Sequence, residues 1–178
     1  MPTNVRSGQR TGDRKKTGAR RQESGAATVR RQLEEYAERG VFRSFSHISS
    51  IAGKSEYRFS WLWNQPFHFS FDEKRKTLTF RKLLPNLPVG SPIETAVRAF
   101  LDDLASPQRP EHRRLDPARI VIRYSNQRGT ASLAFRVQDT NFEFAVQRAM
   151  DAVNELFLMF LNATYPEYLV ETFGLPEE

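Results

Sequence analysis

Apolar and polar residues alternate through several segments in the first half of the chain. Within residues 56–63, Tyr57, Phe59, Trp61 and Trp63 occupy every second position. A period of two is typical of β-strands that bury one face. Residues suited to turns separate the segments, which favours hairpin connections. The pattern therefore predicts a four-strand antiparallel meander over residues 41–50, 56–63, 66–71 and 76–82.

The second half of the chain adds a hairpin and most of the helices. Residues 119–125 and 130–137 alternate on either side of a Gly-containing turn. Apolar residues at helical spacing predict helices over 29–39, from Ser91 to about residue 104, from Thr140 through the apolar run 156–161, and from Pro166 to Gly174. The order α-β-β-β-β-α-β-β-α-α predicts the α+β class, a mostly antiparallel sheet packed by helices.

Charge divides the chain unequally. The protein has 178 residues and a formal net charge of +6. Residues 1–28 hold seven basic and two acidic side chains and no aromatic residue. Such a segment cannot bury enough apolar surface to offset its ordering entropy. We therefore predict a disordered basic arm over 1–28 and a single α+β domain over 29–178.

Composition also excludes several functional classes. The chain has no cysteine, so disulfides, thiolate nucleophiles and cysteine-ligated metals are absent. His47, His68 and His112 lack metal-ligand spacing, and no nucleotide-binding or serine-nucleophile motif occurs. We therefore predict a non-enzymatic protein with no cofactor and no metal. The longest apolar run, six residues, is too short for a membrane span, and no apolar signal segment is present, which favours a cytoplasmic protein.

The arm is one candidate binding element. Its basic residues are typical of segments that neutralise phosphates without reading sequence. An acidic protein partner, or no partner at all, is the alternative interpretation. The predicted phosphate or acidic-partner contacts are Arg14, Lys15, Lys16, Arg20 and Arg21.

The aromatic strands and the apolar end of the long helix form a second candidate. Core packing explains such residues in most proteins. The alternative is that some stay uncovered and form a partner-binding or dimer patch. The residues assigned to that patch are Tyr57, Trp61, Trp63, Phe157 and Met159.

Basic residues of the second hairpin and its approach are a third candidate. They form a stripe with basic residues elsewhere in the sheet, or they pair with the acidic residues of the domain. The residues concerned are Arg58, Arg81, Arg109, Arg113, Arg114, Arg119, Arg123 and Arg128.

The order of elements over residues 29–165 resembles the type III secretion chaperone-like fold. That resemblance implies a small non-enzymatic protein, often dimeric, that binds an extended segment of a partner. We therefore predict a chaperone-like or adaptor-like protein-binding module that forms a homodimer. The alternative is a nucleic-acid-associated protein whose arm binds phosphates. A third class, a ligand or enzymatic pocket between sheet and long helix, requires polar groups that converge there.

Overall fold

The computed structural model describes residues 23–175. Its helices and strands follow the predicted order. They are α1 (Gly25–Glu38), β1 (Arg43–Ile51), β2 (Lys54–Trp61), β3 (Gln65–Asp72), β4 (Thr77–Leu84), α2 (Pro92–Asp103), β5 (Ile120–Gln127), β6 (Thr130–Val137), α3 (Phe142–Asn154), α4 (Asn162–Thr164) and α5 (Pro166–Phe173).

The six strands form one antiparallel sheet in the order β1-β2-β3-β4-β6-β5. The predicted α+β class, the four-strand meander and the hairpin are confirmed. The hairpin joins the meander through β6, which pairs with β4. Consequently β1 and β5 are the two edges of the sheet.

The core lies between one face of the sheet and the helices. Tyr57, Phe69, Phe80 and Leu133 are directly paired across β2, β3, β4 and β6, and each is at most 2% exposed. Above this layer, α3 buries a stripe at helical spacing formed by Ala145, Val146, Ala149 and Val153. The long helix therefore covers the apolar sheet face, as its sequence predicts.

The folded region begins earlier than predicted. The sequence places residues 23–28 in a disordered arm, but α1 begins at Gly25 with Ser24 as its N-cap. Gly25 lies against α3 so closely that a Cβ atom there would come within 2.6 Å of the Phe142 ring. The predicted boundary at residue 29 is therefore wrong, because tertiary contact orders this first turn. Residues 1–22 lie outside the described part of the chain.

The end of β2 also differs from the prediction. Trp63 was assigned to the strand, but β2 ends at Trp61 and Trp63 lies in the following turn. Leu62, Trp63 and Asn64 all have positive φ, which bulky residues rarely adopt. The Trp63 ring still contacts the core, with its centroid 6.1 Å from that of Phe157. The turn with positive φ thus places the Trp63 indole against the core.

The long helix changes its winding after Asn154. Residues Glu155–Leu161 form a π-helix, which places residues five positions apart on the same side. Leu156, Phe157 and Leu161 are thereby buried, whereas Leu158 and Met159 are 39% and 59% exposed. The sequence predicts an ordinary helix here, because an apolar run carries no marker of a π-turn.

The helix caps agree with the sequence in two cases and differ in a third. The Ser91 hydroxyl accepts a hydrogen bond from the Glu94 amide at the start of α2, and α5 ends at Gly174 with positive φ, as predicted. The sequence predicts that the long helix begins at Thr140. Instead α3 begins at Phe142, and the side chain of Asn141 caps it by accepting a hydrogen bond from the Phe144 amide at 3.0 Å.

No helix within residues 23–175 has the length and apolar character needed to cross a membrane.

Candidate functional site

No helix within residues 23–175 covers the face of the sheet opposite α3. Its outward positions alternate with the buried ones, so the register determines which residues share it. Glu56, Ser70, Thr79, Ala134 and Arg123 form one directly paired row across five strands. We call this surface the open face.

Basic side chains outnumber acidic ones on the open face. The pairing places two carboxylates there, Glu56 and Asp72, both on the half of the sheet that contains β2 and β3. The basic residues extend over the whole face and are Arg43, Lys54, Arg58, Arg81, Arg123 and Arg136.

The two carboxylates are already paired. Arg81 Nη1 lies 3.1 Å from Glu56 Oε1, and Lys54 Nζ lies 3.8 Å from Asp72 Oδ2. None of the ion pairs formed within residues 23–175 includes Arg58, Arg123 or Arg136. These three guanidinium groups are therefore available to an anionic partner.

His68 lies between two arginines. Arg58, His68 and Arg81 are directly paired across β2, β3 and β4. Partial burial lowers the pKa of His68, and the positive charges of Arg58, Lys82 and Arg81 lower it further, while Glu56 opposes them. The lowered pKa of the imidazole is therefore partly a result of the positive potential of this row.

A shallow depression of about 310 Å³ lies on the open face. Three hydroxyl groups, those of Ser70, Thr77 and Thr79, line it together with basic side chains. The charged residues that line it are Lys54, Asp72, Arg75, Arg81, Arg123 and Arg136. A neighbouring depression shares Arg123 and Arg136 and is also lined by Lys74 and Lys76 of the β3–β4 turn. This is the region where positive charge and hydroxyl donors come together.

The structure divides the basic residues predicted for a stripe into two groups. Arg58, Arg81 and Arg123 lie on the open face. Arg119 instead pairs with Asp139 at 3.3 Å and lies over the Phe144 ring at 3.6 Å.

The other four lie away from the open face, and one of them, Arg114, ends the short 3-10 helix Glu111–Arg113 in the loop after α2. Arg109 pairs with Asp103 and Glu155, and Arg113 also pairs with Glu155. Arg128 lies in the β5–β6 turn. Each of the two alternative interpretations, a basic stripe and pairing with acidic residues, therefore holds for some members of the set.

Sequence reasoning missed Arg43, Lys54 and Arg136. Arg136 lies between the buried Phe135 and Val137, so the alternation of β6 places it outward. The alternation shows on which side of β6 the residue lies, but it does not show which strand pairs with β6. The pairing of β6 with β4 puts Arg136 opposite Thr77.

The predicted aromatic patch is not a single exposed surface. Tyr57 and Phe157 are 2% and 1% exposed, so neither offers surface to a partner, and their assignment is corrected to core packing. Trp61 and Trp63 are half-buried against Phe67 and Phe157. Met159, at 59% exposed, is the member that remains largely accessible.

The predicted arm contacts, Arg14, Lys15, Lys16, Arg20 and Arg21, lie outside the described residues. The described chain begins at Glu23, which pairs with Arg31 at 3.4 Å. Nearby, the Ala26 amide donates to Glu73 of the β3–β4 turn at 3.3 Å. The arm therefore joins the domain at the end of the sheet that carries Lys74 and Arg75.

One buried carboxylate lies on the covered side of the sheet. Glu94 is 3% exposed and accepts hydrogen bonds from the Gly90 amide, Tyr124 Oη and Asn126 Nδ2 at 2.6, 2.9 and 3.0 Å. These donors, the Gly90 amide first, lower the pKa of Glu94 to about 2. Because its partners are already in place, Glu94 ties α2 to β5 rather than offering a reactive group.

The histidines do not gather into a site. His47 stacks on Tyr57 with ring centroids 5.0 Å apart, and the His112 carbonyl accepts from Arg148. Among residues 23–175, no cluster of His, Asp and Glu has the arrangement of a metal site.

Comparison with protein-family models, with curated proteins and with solved structures finds no match to this chain.

Proposed function

We propose that this protein is a non-enzymatic nucleic-acid-binding protein that contacts phosphates with its open face. The observation that carries the proposal is that, among residues 23–175, no helix lies on this face and Arg58, Arg123 and Arg136 have no carboxylate partner. Helices cover the opposite face and bury most of its aromatic residues, including Phe59, Phe69 and Phe80. The accessible chemistry of the sheet is therefore cationic.

The chemistry around these arginines favours phosphate over other anionic partners. Ser70 and Thr79 supply hydroxyl donors beside them, whereas the Thr77 hydroxyl already donates to the Arg75 carbonyl at 3.0 Å. Phosphate oxygens accept hydrogen bonds from both guanidinium and hydroxyl groups. A protein partner or a lipid surface would also require apolar contact area. The outward apolar residues of the strands are Ile51 and Val121 at the two edges of the sheet, Pro66 at the start of β3 and the small Ala134, and Ile48 is 52% exposed at the irregular pairing of β1. This apolar area is spread over four strands.

The basic arm adds to the same interaction. Residues 1–22 hold seven basic side chains and one acidic side chain, and such a segment attracts a polyanion without reading sequence. The N-terminus of α1, to which the arm is joined, lies close to the β3–β4 turn. Lys74, Arg75 and Lys76 of that turn adjoin the open face. We propose that the arm and the open face contact one continuous stretch of nucleic acid in a cytoplasmic setting.

The test compares two variants that lose the same charge. The first changes Arg58, Arg123 and Arg136 to Ala on the open face. The second changes Arg30, Arg39 and Arg113 to Ala; these lie on α1, at its end and in the loop after α2, away from the open face. Fluorescence anisotropy with a labelled nucleic acid measures affinity as salt is varied. We expect the first variant to lose about tenfold or more in affinity and roughly three units of salt slope.

The second variant controls for net charge alone. We expect it to retain most of the affinity, since its side chains do not adjoin the depression. Equal losses in the two variants, or no binding to nucleic acid by the unmodified protein, would contradict the proposal. Circular dichroism and thermal unfolding establish that both variants are folded.

One specific observation supports the prediction of a protein-binding surface. Leu158 and Met159 on the π-helical segment leave apolar surface exposed, at 39% and 59%. As a second candidate we propose that these residues contribute to a homodimer or to a chaperone-like contact with a protein. Sedimentation of the unmodified protein and of a Leu158→Ser, Met159→Ser variant tests it. A monomer in both cases would remove the dimer.

A further inference from the structure

We propose that the preferred ligand of the open face is a nucleic-acid duplex, held by phosphate contacts on both strands across one groove. This inference rests on the proposed function and specifies its ligand. It depends on two independent features of the open face: the absence of base-stacking surface and the spacing of the arginines.

The strands point nearly all their rings toward the helices. Tyr57, Phe59, Phe67, Phe69 and Phe80 are each at most 4% exposed. Within residues 23–175, the outward strand positions carry one ring, the imidazole of His68. Proteins that bind single strands stack successive bases on several exposed aromatic side chains. The open face therefore lacks the platform that single-strand binding requires.

The arginines form two pairs. Arg58 and Arg81 lie in one row two strands apart, so their Cα atoms are about 10 Å apart. Arg123 lies opposite Ala134, and Arg136 is two residues further along β6, which separates their Cα atoms by about 8 Å. Each pair can contact one stretch of backbone. In the first pair Arg58 supplies the unpaired charge, because Arg81 also lies 3.1 Å from Glu56.

The gap between the pairs matches a groove. Arg81 and Arg123 are two strands apart and offset by two residues, which separates their Cα atoms by about 12 Å. The major groove of B-form DNA is about 12 Å wide. Thr79 lies between the two pairs, where it leaves the centre uncharged. Two cationic pairs with a neutral gap fit two phosphate backbones better than one continuous strand.

Phosphate contacts of this kind carry little sequence information. Since the open face offers arginines and short hydroxyl side chains on a flat sheet, few groups reach into a groove to read base edges. We therefore expect recognition of duplex shape and charge, with weak dependence on base sequence.

The experiment measures the affinity of the full chain for a mixed-sequence duplex of about 20 base pairs and for single-stranded oligo-dT of the same strand length, at about 150 mM salt. We expect duplex to bind about tenfold more tightly, and a second duplex of unrelated sequence to bind within about threefold of the first. In an Arg58→Ala, Arg123→Ala variant, which removes one member of each pair, we expect the two affinities to converge. The arm is unchanged in this variant and serves as the internal control.

Equal or tighter binding of the single strand would overturn the duplex inference and leave the proposed function standing. Absence of binding to every nucleic acid would overturn both. Ethylation of individual phosphates gives a second readout: we expect interference on both strands, flanking one groove. Interference confined to one strand would also overturn the inference.

Discussion

Phe80 and Arg81 are neighbours in β4, yet they lie in opposite environments. Phe80 is fully buried, with its ring centroid 5.0 Å from that of Phe69, whereas the Arg81 side chain is 54% exposed. The same contrast extends along the strands, since one face packs against α1 and α3 and no helix within residues 23–175 lies on the other. The comparison teaches that one set of strands can hold the fold on one side and a cationic surface on the other.

This separation makes the two faces independent in an experimentally useful way. Stability depends mainly on apolar area removed from water, which is concentrated on the covered face. Surface charges contribute little to stability, about 0–1 kcal/mol for each exposed pair. Substitutions on one face should therefore change unfolding, and those on the other should change binding.

The largest effect is expected for Phe80→Ala. The ring packs between Phe67, Phe69 and Phe135, so its removal leaves a cavity. We expect the free energy of unfolding to fall by about 3–5 kcal/mol, measured by urea denaturation. Thr79→Val, the neighbouring position on the open face, is the matched control and should change it by less than about 0.5 kcal/mol. Similar losses for both would show that the faces are not separable.

A carboxylate placed at the centre of the open face is expected to have the next largest effect. Ala134 lies opposite Arg123 and Thr79, so Ala134→Glu adds negative charge beside the unpaired arginines. We expect about a tenfold or greater loss of nucleic-acid affinity, because the new carboxylate both repels phosphate and pairs with an arginine. Gln147→Glu, exposed on α3, makes the same charge change on the other side and should retain affinity. If the two variants bind alike, net charge rather than the open face governs binding.

The stability of the protein in acid should depend on Glu94, which lies on the covered side of the sheet. Its pKa is lowered to about 2, so the ionised form is favoured in the folded protein. A carboxyl group whose pKa is lower in the folded than in the unfolded protein stabilises the fold at every pH above the ordinary carboxyl pKa. That stabilisation is lost as the pH falls from there toward 2. We expect the urea midpoint of the unmodified protein to fall across this window. In Glu94→Gln we expect a lower midpoint at neutral pH and a flatter decline in acid; a parallel decline would assign the acid loss to other groups.

The smallest effect concerns His68. Partial burial and, after it, the neighbouring positive charges lower the pKa of His68 in the free protein, and a bound polyanion would raise that pKa again. A group whose pKa rises on binding takes up a proton, so affinity should increase as pH falls through the range of His68 titration. We expect a change of a fewfold, and His68→Gln should abolish it. A pH response that survives this substitution would locate the titration elsewhere.

The sequence predicts the fold well because its signals are local. The alternation around Phe67, Phe69 and Phe71 identifies a strand and its buried face. Its predictions fail where tertiary contact decides the outcome. The first turn of α1 is ordered by Phe142, and the turn at Trp63 is accompanied by packing against Phe157.

The candidate site is less predictable than the fold. Alternation places Arg58, Arg81 and Arg123 on polar faces, and it would do the same for Arg136. It does not tell which strands lie side by side or which arginines find a carboxylate. Arg119 and Arg123 are four residues apart in sequence, yet Arg119 is paired with Asp139 and Arg123 has no carboxylate partner among the described residues.

What the sequence by itself determined is the α+β class, the order of the elements, the buried side of each strand and the concentration of charge in the arm. These depend on residue periodicity and composition, which are properties of neighbouring positions. What only the tertiary structure decided is that β6 pairs with β4, and that Arg58, Arg81, Arg123 and Arg136 share the sheet face on which none of the helices of residues 23–175 lies. The physical reason is that strand order depends on how the whole apolar layer packs against α1 and α3, and no local pattern encodes that arrangement.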